Sequence, residues 1–173
     1  MRILHFAFNE DSKNEYLPHN YETNTVAYTG THDNDTTIGW YTNGTEHEKD
    51  HVRRYMNISG NDIAWDMIRL VMSSTAIFSI FPIQDVLRLD GNHRMNIPST
   101  SNGNWQFRFE MSQLKEEDAQ GLRYLSELFN RLPEIQENEE NEEEITPVLT
   151  QEEKPSISTK REKPNRKQGR RKK

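Results

Sequence analysis

The densest run of side chains able to do chemistry in this 173-residue sequence is Thr31-His32-Asp33-Asn34-Asp35-Thr36. A carboxylate beside an imidazole and two further polar groups can grip hydroxyls or move a proton. Taken without context, however, a carboxylate in such a polar run is more often a turn or cap residue. Two further spacings imitate metal sites. His47-Glu48-Lys49-Asp50-His51 matches the pattern in which two histidines one helical turn apart bind zinc while the glutamate activates water. Its charged neighbours describe an exposed face, and no third ligand accompanies it, so the match is accidental. Asp33-Asn34-Asp35 opens like a calcium loop, but Ile38 occupies the position where the sharp turn needs glycine, which excludes an EF-hand.

These residues need strands and helices to place them. Residues 2–8 form a short apolar, aromatic run that suits a buried strand, and residues 25–29 form a second, followed by Gly30 and the Asp33 block. Residues 46–56 read as a charged helix. Asn61-Asp62 caps the next, in which Ile63, Met67, Leu70 and Val71 share one face. Residues 76–83 are a third apolar strand closed by Pro82 before Gln84-Asp85. Residues 92–105, rich in Asn, Ser, Thr, Gly and Pro, make a loop, and 104–110 a short strand or extension. Residues 111–132 repeat leucine as an amphipathic helix that stops before Pro133.

Composition divides the chain. Residues 134–173 contain five apolar side chains, Ile135, Ile145, Val148, Leu149 and Ile157, which is too few to bury a core. That tail is bipolar: seven glutamates lie in 134–144, and nine Lys or Arg against one Glu in 160–173. The expected organisation is a folded region over 1–110, a helix over 111–132 and a disordered acidic-then-basic tail over 133–173. The absence of cysteine excludes disulfides and thiolate metal sites and fits a reducing compartment. The opening apolar run is interrupted by Asn9, Glu10 and Asp11 too early for a secretory signal, and the most apolar stretch, 63–83, contains Asp66, Arg69 and Pro82. The expectation is a soluble, cytoplasmic chain with no membrane contact, in which Asn-X-Ser/Thr at Asn34, Asn43 and Asn57 carries no sugar.

Buried strands alternating with helices imply a parallel sheet with helices outside, and chemistry in such folds gathers at the carboxyl ends of the strands. A closed eight-stranded barrel takes about 250 residues. Three strands over 1–110 cannot close one alone, so the residues themselves give an α/β fold whose short parallel sheet cannot be a complete barrel.

Tyr16-Leu-Pro-His-Asn-Tyr21, Tyr28-Thr-Gly-Thr-His-Asp-Asn-Asp-Thr36, Pro82-Ile-Gln-Asp-Val-Leu87, Arg94-Met-Asn96 and Gly103-Asn-Trp105 stand in an order that resembles the 4-alpha-glucanotransferases, the amylomaltase or disproportionating enzymes. The resemblance runs from Met1 to about Phe109 and implies that the α/β fold is three strand–helix units from the carboxyl-terminal part of a (β/α)8 barrel. It implies a retaining transfer of α-1,4-glucan segments between maltooligosaccharides, with no metal and no organic cofactor. Retention uses a nucleophile and an acid/base about 5 Å apart. In the family both precede the strand that begins near Met1, so the expected partner of this chain is the amino-terminal portion of the barrel. The third family carboxylate matches Asp33, which clasps sugar hydroxyls as the oxocarbenium-like state develops. His32 matches a neighbour on the same sugar, and Asn96, His19 and Asn20 lie in matching loops. Ile38 stands where many relatives carry a basic residue.

On this reading the chain is inactive alone. The alternative is a non-catalytic module that holds glycan or a partner through a partial barrel and a charged tail. Trp40 and Trp105 could stack on sugar rings, whereas Trp65, at helical spacing, reads as core. The basic end could touch phosphates, but no aromatic residues interleave with its charges, so nucleic acid is not an expected partner.

Overall fold

A computed structural model describes residues 1–9 and 11–133. The expected charged tail lies outside the described residues. Within them a three-stranded parallel sheet of β1 (Arg2–Ile3), β2 (Val26–Tyr28) and β3 (Phe78–Ile80) runs in the order β1-β2-β3. Arg2 stands opposite Ala27, which stands opposite Ser79; Ile3, Tyr28 and Ile80 form the next row. Side chains alternate along a strand, so these rows face opposite sides of the sheet.

The helices α1 (Thr37–Asn43), α2 (Glu46–Met56) and α3 (Ile63–Ser73) carry the chain from β2 to β3. Ala27 is fully buried, and the Ser79 hydroxyl donates to the Val71 carbonyl of α3 at 3.0 Å, so this side of the sheet is the helix-covered one. Leu4, Phe8, Leu17, Val52, Met67 and Val71 fill the main core. The other side is open along β3, where Phe78 is 63% exposed and Ile80 44%, while Ile3 at the opposite edge of the same face is buried.

Several elements differ from the sequence expectation. The strand expected over 2–8 pairs only through Ile3 and then tightens into a 3-10 turn at Leu4–Phe6, which turns Leu4, His5, Ala7 and Phe8 into the interior. β1 reaches β2 through a loop with a second 3-10 turn, Pro18–Asn20, so the full strand–helix pattern begins at β2. The third strand ends at Ile80 because Pro82 opens the short helix α4 (Ile83–Val86), a position where its fixed φ and missing N–H cost little. Asp62 precedes α3 without a side-chain cap bond; its carboxylate accepts instead from Arg88 Nε at 3.1 Å. No strand forms over 104–110. The last of the described helices, α5 (Glu116–Leu128), starts later than expected, after a separate 3-10 turn at Met111–Gln113. Asp118 fixes that start, accepting the Lys115 amide at 3.1 Å and Arg88 Nη1 at 3.1 Å. Leu125 of α5 packs with Ile68 and Met72 of α3 and Val86 of α4, and Trp65 joins this second cluster, as its helical spacing indicated.

Candidate functional site

The loop of residues 29–36 leaves the carboxyl end of β2 and ends where the Thr36 hydroxyl accepts the Gly39 amide at 3.1 Å to cap α1. Asn34 shapes its middle, accepting from both the Thr31 amide at 2.9 Å and the Thr31 hydroxyl at 2.8 Å. Asp33 therefore projects at the sheet's rim, its side chain 54% exposed.

A second segment, following α4 and a 3-10 turn at Gly91–His93, meets this loop. Asn96 Nδ2 donates to Asp33 Oδ1 at 2.7 Å, and His32 Nε2 lies 3.4 Å from the same oxygen. Arg94 Nη2 donates to the Asp33 carbonyl at 3.1 Å, while its Nη1 lies 3.9 Å from Asp35 Oδ2. The side-chain contacts of Asp33 among the described residues fall on Oδ1, leaving Oδ2 with no hydrogen bond among them. Asp35 is turned inward instead. It accepts the Thr36 amide at 2.8 Å and packs on Gly39, where a Cβ would come within 2.4 Å of its Oδ1.

Beside this cluster opens a cavity of about 510 Å³ whose lining includes Tyr28, His32, Asp35, Ile80, Arg94 and Trp105. Asp33 itself stands outside that lining, and Asp35 is its one carboxylate among the described residues. The Trp105 ring lies 5.1 Å from the His32 ring, and the Trp105 amide donates to the Met95 carbonyl at 2.7 Å.

Three of the five sequence-derived site residues, Asp33, His32 and Asn96, thus meet although Asn96 is 63 positions from Asp33. His19 and Asn20 join a different arrangement. His19 Nε2 donates to the Ser12 carbonyl at 2.8 Å, its Nδ1 accepts from the Tyr55 hydroxyl at 3.0 Å, and Asn20 Nδ2 donates to the carbonyls of Ser12 and Asn14, each at 2.9 Å. Neither lines the cavity. Arg94 and Asp35 are the site residues that the reading of single roles passed over, though both stand inside the quoted motifs. The zinc-like spacing on α2 is spent elsewhere: Glu48 closes a capping box with Thr45, and His51 Nδ1 donates to the Phe8 carbonyl at 3.2 Å. Among the described residues no group of three or more His, Cys, Asp or Glu is arranged to hold a metal ion.

Fold and site together define a parallel α/β protein that gathers polar groups at the carboxyl ends of its strands, where such folds bind their ligands. A family profile described as 4-alpha-glucanotransferase matches residues 1–113, and the chain belongs to that family. A 4-alpha-glucanotransferase of Synechocystis sp. is 45% identical over 133 residues, covering 76% of this chain and 26% of that protein. The chloroplastic/amyloplastic enzyme of Arabidopsis thaliana is 43% identical over 136 residues, covering 76% and 24%. Among solved structures, the amylomaltase from Streptococcus agalactiae in complex with acarbose superposes with a TM-score of 0.73 at 35% identity, covering 77% of this chain and 27% of that one. The chain spans about a quarter of the length of the curated relatives it matches.

Proposed function

We propose that residues 1–110 are the carboxyl-terminal part of a (β/α)8 barrel that transfers α-1,4-glucan segments between maltooligosaccharides with retention, and that Asp33 is its sugar-holding carboxylate. The observation that carries this reading is the Asp33–Asn96 hydrogen bond at 2.7 Å. It fixes one carboxylate oxygen and leaves the other for a pair of sugar hydroxyls. Such a bond strengthens as positive charge develops on the ring. His32 adds a donor to the same sugar, and its neighbour Trp105 offers an aromatic face at the cavity mouth. For His19 and Asn20 we propose a contribution through the loop they shape, since their nitrogens are committed to its backbone and to Tyr55.

Retention needs two further carboxylates about 5 Å apart across the sugar. Asp35 does not fit either role, because it is packed on Gly39 and faced by Arg94. Among the described residues the cavity lining thus offers no nucleophile and no acid/base, and on this proposal both come from the amino-terminal portion of the barrel. No described helix is long and apolar enough to cross a membrane. We place the assembled enzyme in the cytoplasm, on α-glucan, without metal or organic cofactor. The tail over 133–173 is assigned no part in it.

Maltotriose disproportionation tests the reading. The 173-residue chain alone should release no glucose; release of glucose and longer oligosaccharides would contradict the assignment of missing acids. Supplying the amino-terminal portion of the barrel in trans should produce turnover, and turnover unaffected by Asp33→Ala would remove Asp33 from the site.

A further inference from the structure

Directly beneath the Asp33 loop lies a second carboxylate, Asp85 on α4, only 1% exposed. It faces no cation among the described residues and accepts three hydrogen bonds from two places. The Thr29 hydroxyl, at the end of β2, donates to Oδ2 at 2.6 Å. Thr37, at the start of α1, donates its hydroxyl to Oδ2 at 2.9 Å and its amide to Oδ1 at 3.1 Å. These two residues bracket the loop that carries His32, Asp33 and Asp35. Its neighbour Gln84, also buried, donates from Nε2 to the His93 carbonyl at 3.1 Å, just ahead of Arg94 and Asn96.

His5 completes the arrangement. Because Thr37 gives its proton to Asp85, His5 Nε2 must be the donor in their 3.0 Å contact, and in the neutral ring that burial favours this leaves Nδ1 bare. That nitrogen is buried without a partner, and the ring stacks on Trp40 at 4.8 Å and 4°. His5 also holds the loop's first turn closed from below: a Cβ on Gly30 would come within 2.6 Å of its Cε1.

We propose that Gln84 and Asp85 are positioning residues that set the distance between Asp33 and Asn96. Asp85 clamps both ends of the Asp33 loop, and Gln84 anchors the segment bearing Asn96. Both act from one turn of α4, so the two halves of the site share a single rigid support. A buried carboxylate is costly unless its acceptor capacity is met, and here the backbone and hydroxyls that meet it are those that bound the functional loop. The inference rests on the proposed role of Asp33 for its meaning but not for its test.

Hydrogen–deuterium exchange on the 173-residue chain, read by mass spectrometry at micromolar concentration, supplies that test. In the pair Thr29→Val/Thr37→Val, amides of residues 30–36 should exchange about tenfold faster while those of α3 keep their protection, because local opening then costs less than global unfolding. The pair Thr29→Ser/Thr37→Ser keeps both hydroxyls and should match the unsubstituted chain. Gln84→Leu should accelerate residues 91–97 and spare α3. The clamp is overturned if the valine pair leaves the loop unchanged, or if loop and α3 accelerate together in the serine pair as in the valine pair. Should the valine pair not fold, Gln84→Leu decides, and unchanged exchange at 91–97 sinks the proposal. A wrong role for Asp33 would show only in the disproportionation assay, with the exchange pattern intact.

Discussion

Asp33 and Asp85 belong to the same few turns of chain packing yet have opposite environments. Asp33 has one oxygen held by Asn96 and half its side chain in solvent. Asp85 has both oxygens filled by Thr29 and Thr37 and almost no solvent contact. Burial pushes the Asp85 carboxyl above the usual range, and the three donors pull it back. The contrast separates two uses of one functional group. A carboxylate with an unfilled acceptor at a strand end is poised for a ligand, whereas one whose acceptors are all filled by its own chain fixes geometry.

Substitution sharpens this contrast most at the site itself. In the assembled barrel, Asp33→Ala should lower kcat/KM by on the order of 10²–10³, the scale of losing one preorganised transition-state contact. Urea unfolding of the same variant should shift by no more than about 0.5 kcal/mol, since the group is exposed. Asp85→Ala should reverse the order of effects on the chain itself. It strands two buried hydroxyls and the Thr37 amide, and unfolding should show a loss of about 3 kcal/mol. Equal stability losses for the two variants would erase the distinction.

Of the exposed half, the sequence itself carried the polar block around Asp33, while the sugar-holding roles of Asp33, His32 and Asn96 were only what the resemblance implied, and no local pattern announced that Asn96 meets Asp33 across 63 positions. The buried half was not legible. His5 and Thr37 are 32 positions apart and meet only because the first strand gives way to a 3-10 turn after Ile3. An isolated histidine in an apolar run announces neither that turn nor its partner. α1 was equally hidden: Thr37, Ile38, Gly39 and Thr42 are poor helix formers, and the Thr36 cap with tertiary packing overrides them. The later start of α5 follows from Arg88 reaching Asp118 across 30 positions, a contact that no local periodicity carries.

The pH dependence of stability probes the buried network next. Burial lowers the His5 pKa to about 3. The unfolded chain takes up this proton below about pH 6.5, whereas the folded chain resists it, so stability is full above that pH and falls on acidification towards pH 3. Between pH 6.5 and 4.5 the loss from this one group should be roughly 2–3 kcal/mol. Asp85 acts oppositely: its raised pKa lets the folded state hold a proton above the ordinary carboxylate range, which offsets part of the loss at the acid end. His5→Gln, which keeps a donor towards Thr37, should flatten the dependence in urea titrations taken across this range. An unchanged slope would mean that other groups dominate.

The two sides of the sheet repeat the comparison on the apolar level and yield the smallest effect. Ser79 and Ala27 lie under the helices, while Phe78 and Ile80 stand bare on a strand that pairs on one edge only among the described residues. Replacing an exposed apolar side chain gives up little burial, so Phe78→Ser with Ile80→Ser should change unfolding of the isolated chain by no more than about 0.5 kcal/mol per site. The same pair removes an apolar patch beside an open edge, which is a site for association. Soluble yield and the monomer fraction in light scattering should therefore rise while stability stays level. In the proposed barrel the outcome should invert: on that proposal the exposed face of β3 turns to the interior, so the same double substitution should weaken assembly. A double variant that aggregates as before and assembles normally would show that this face is not the barrel's interior.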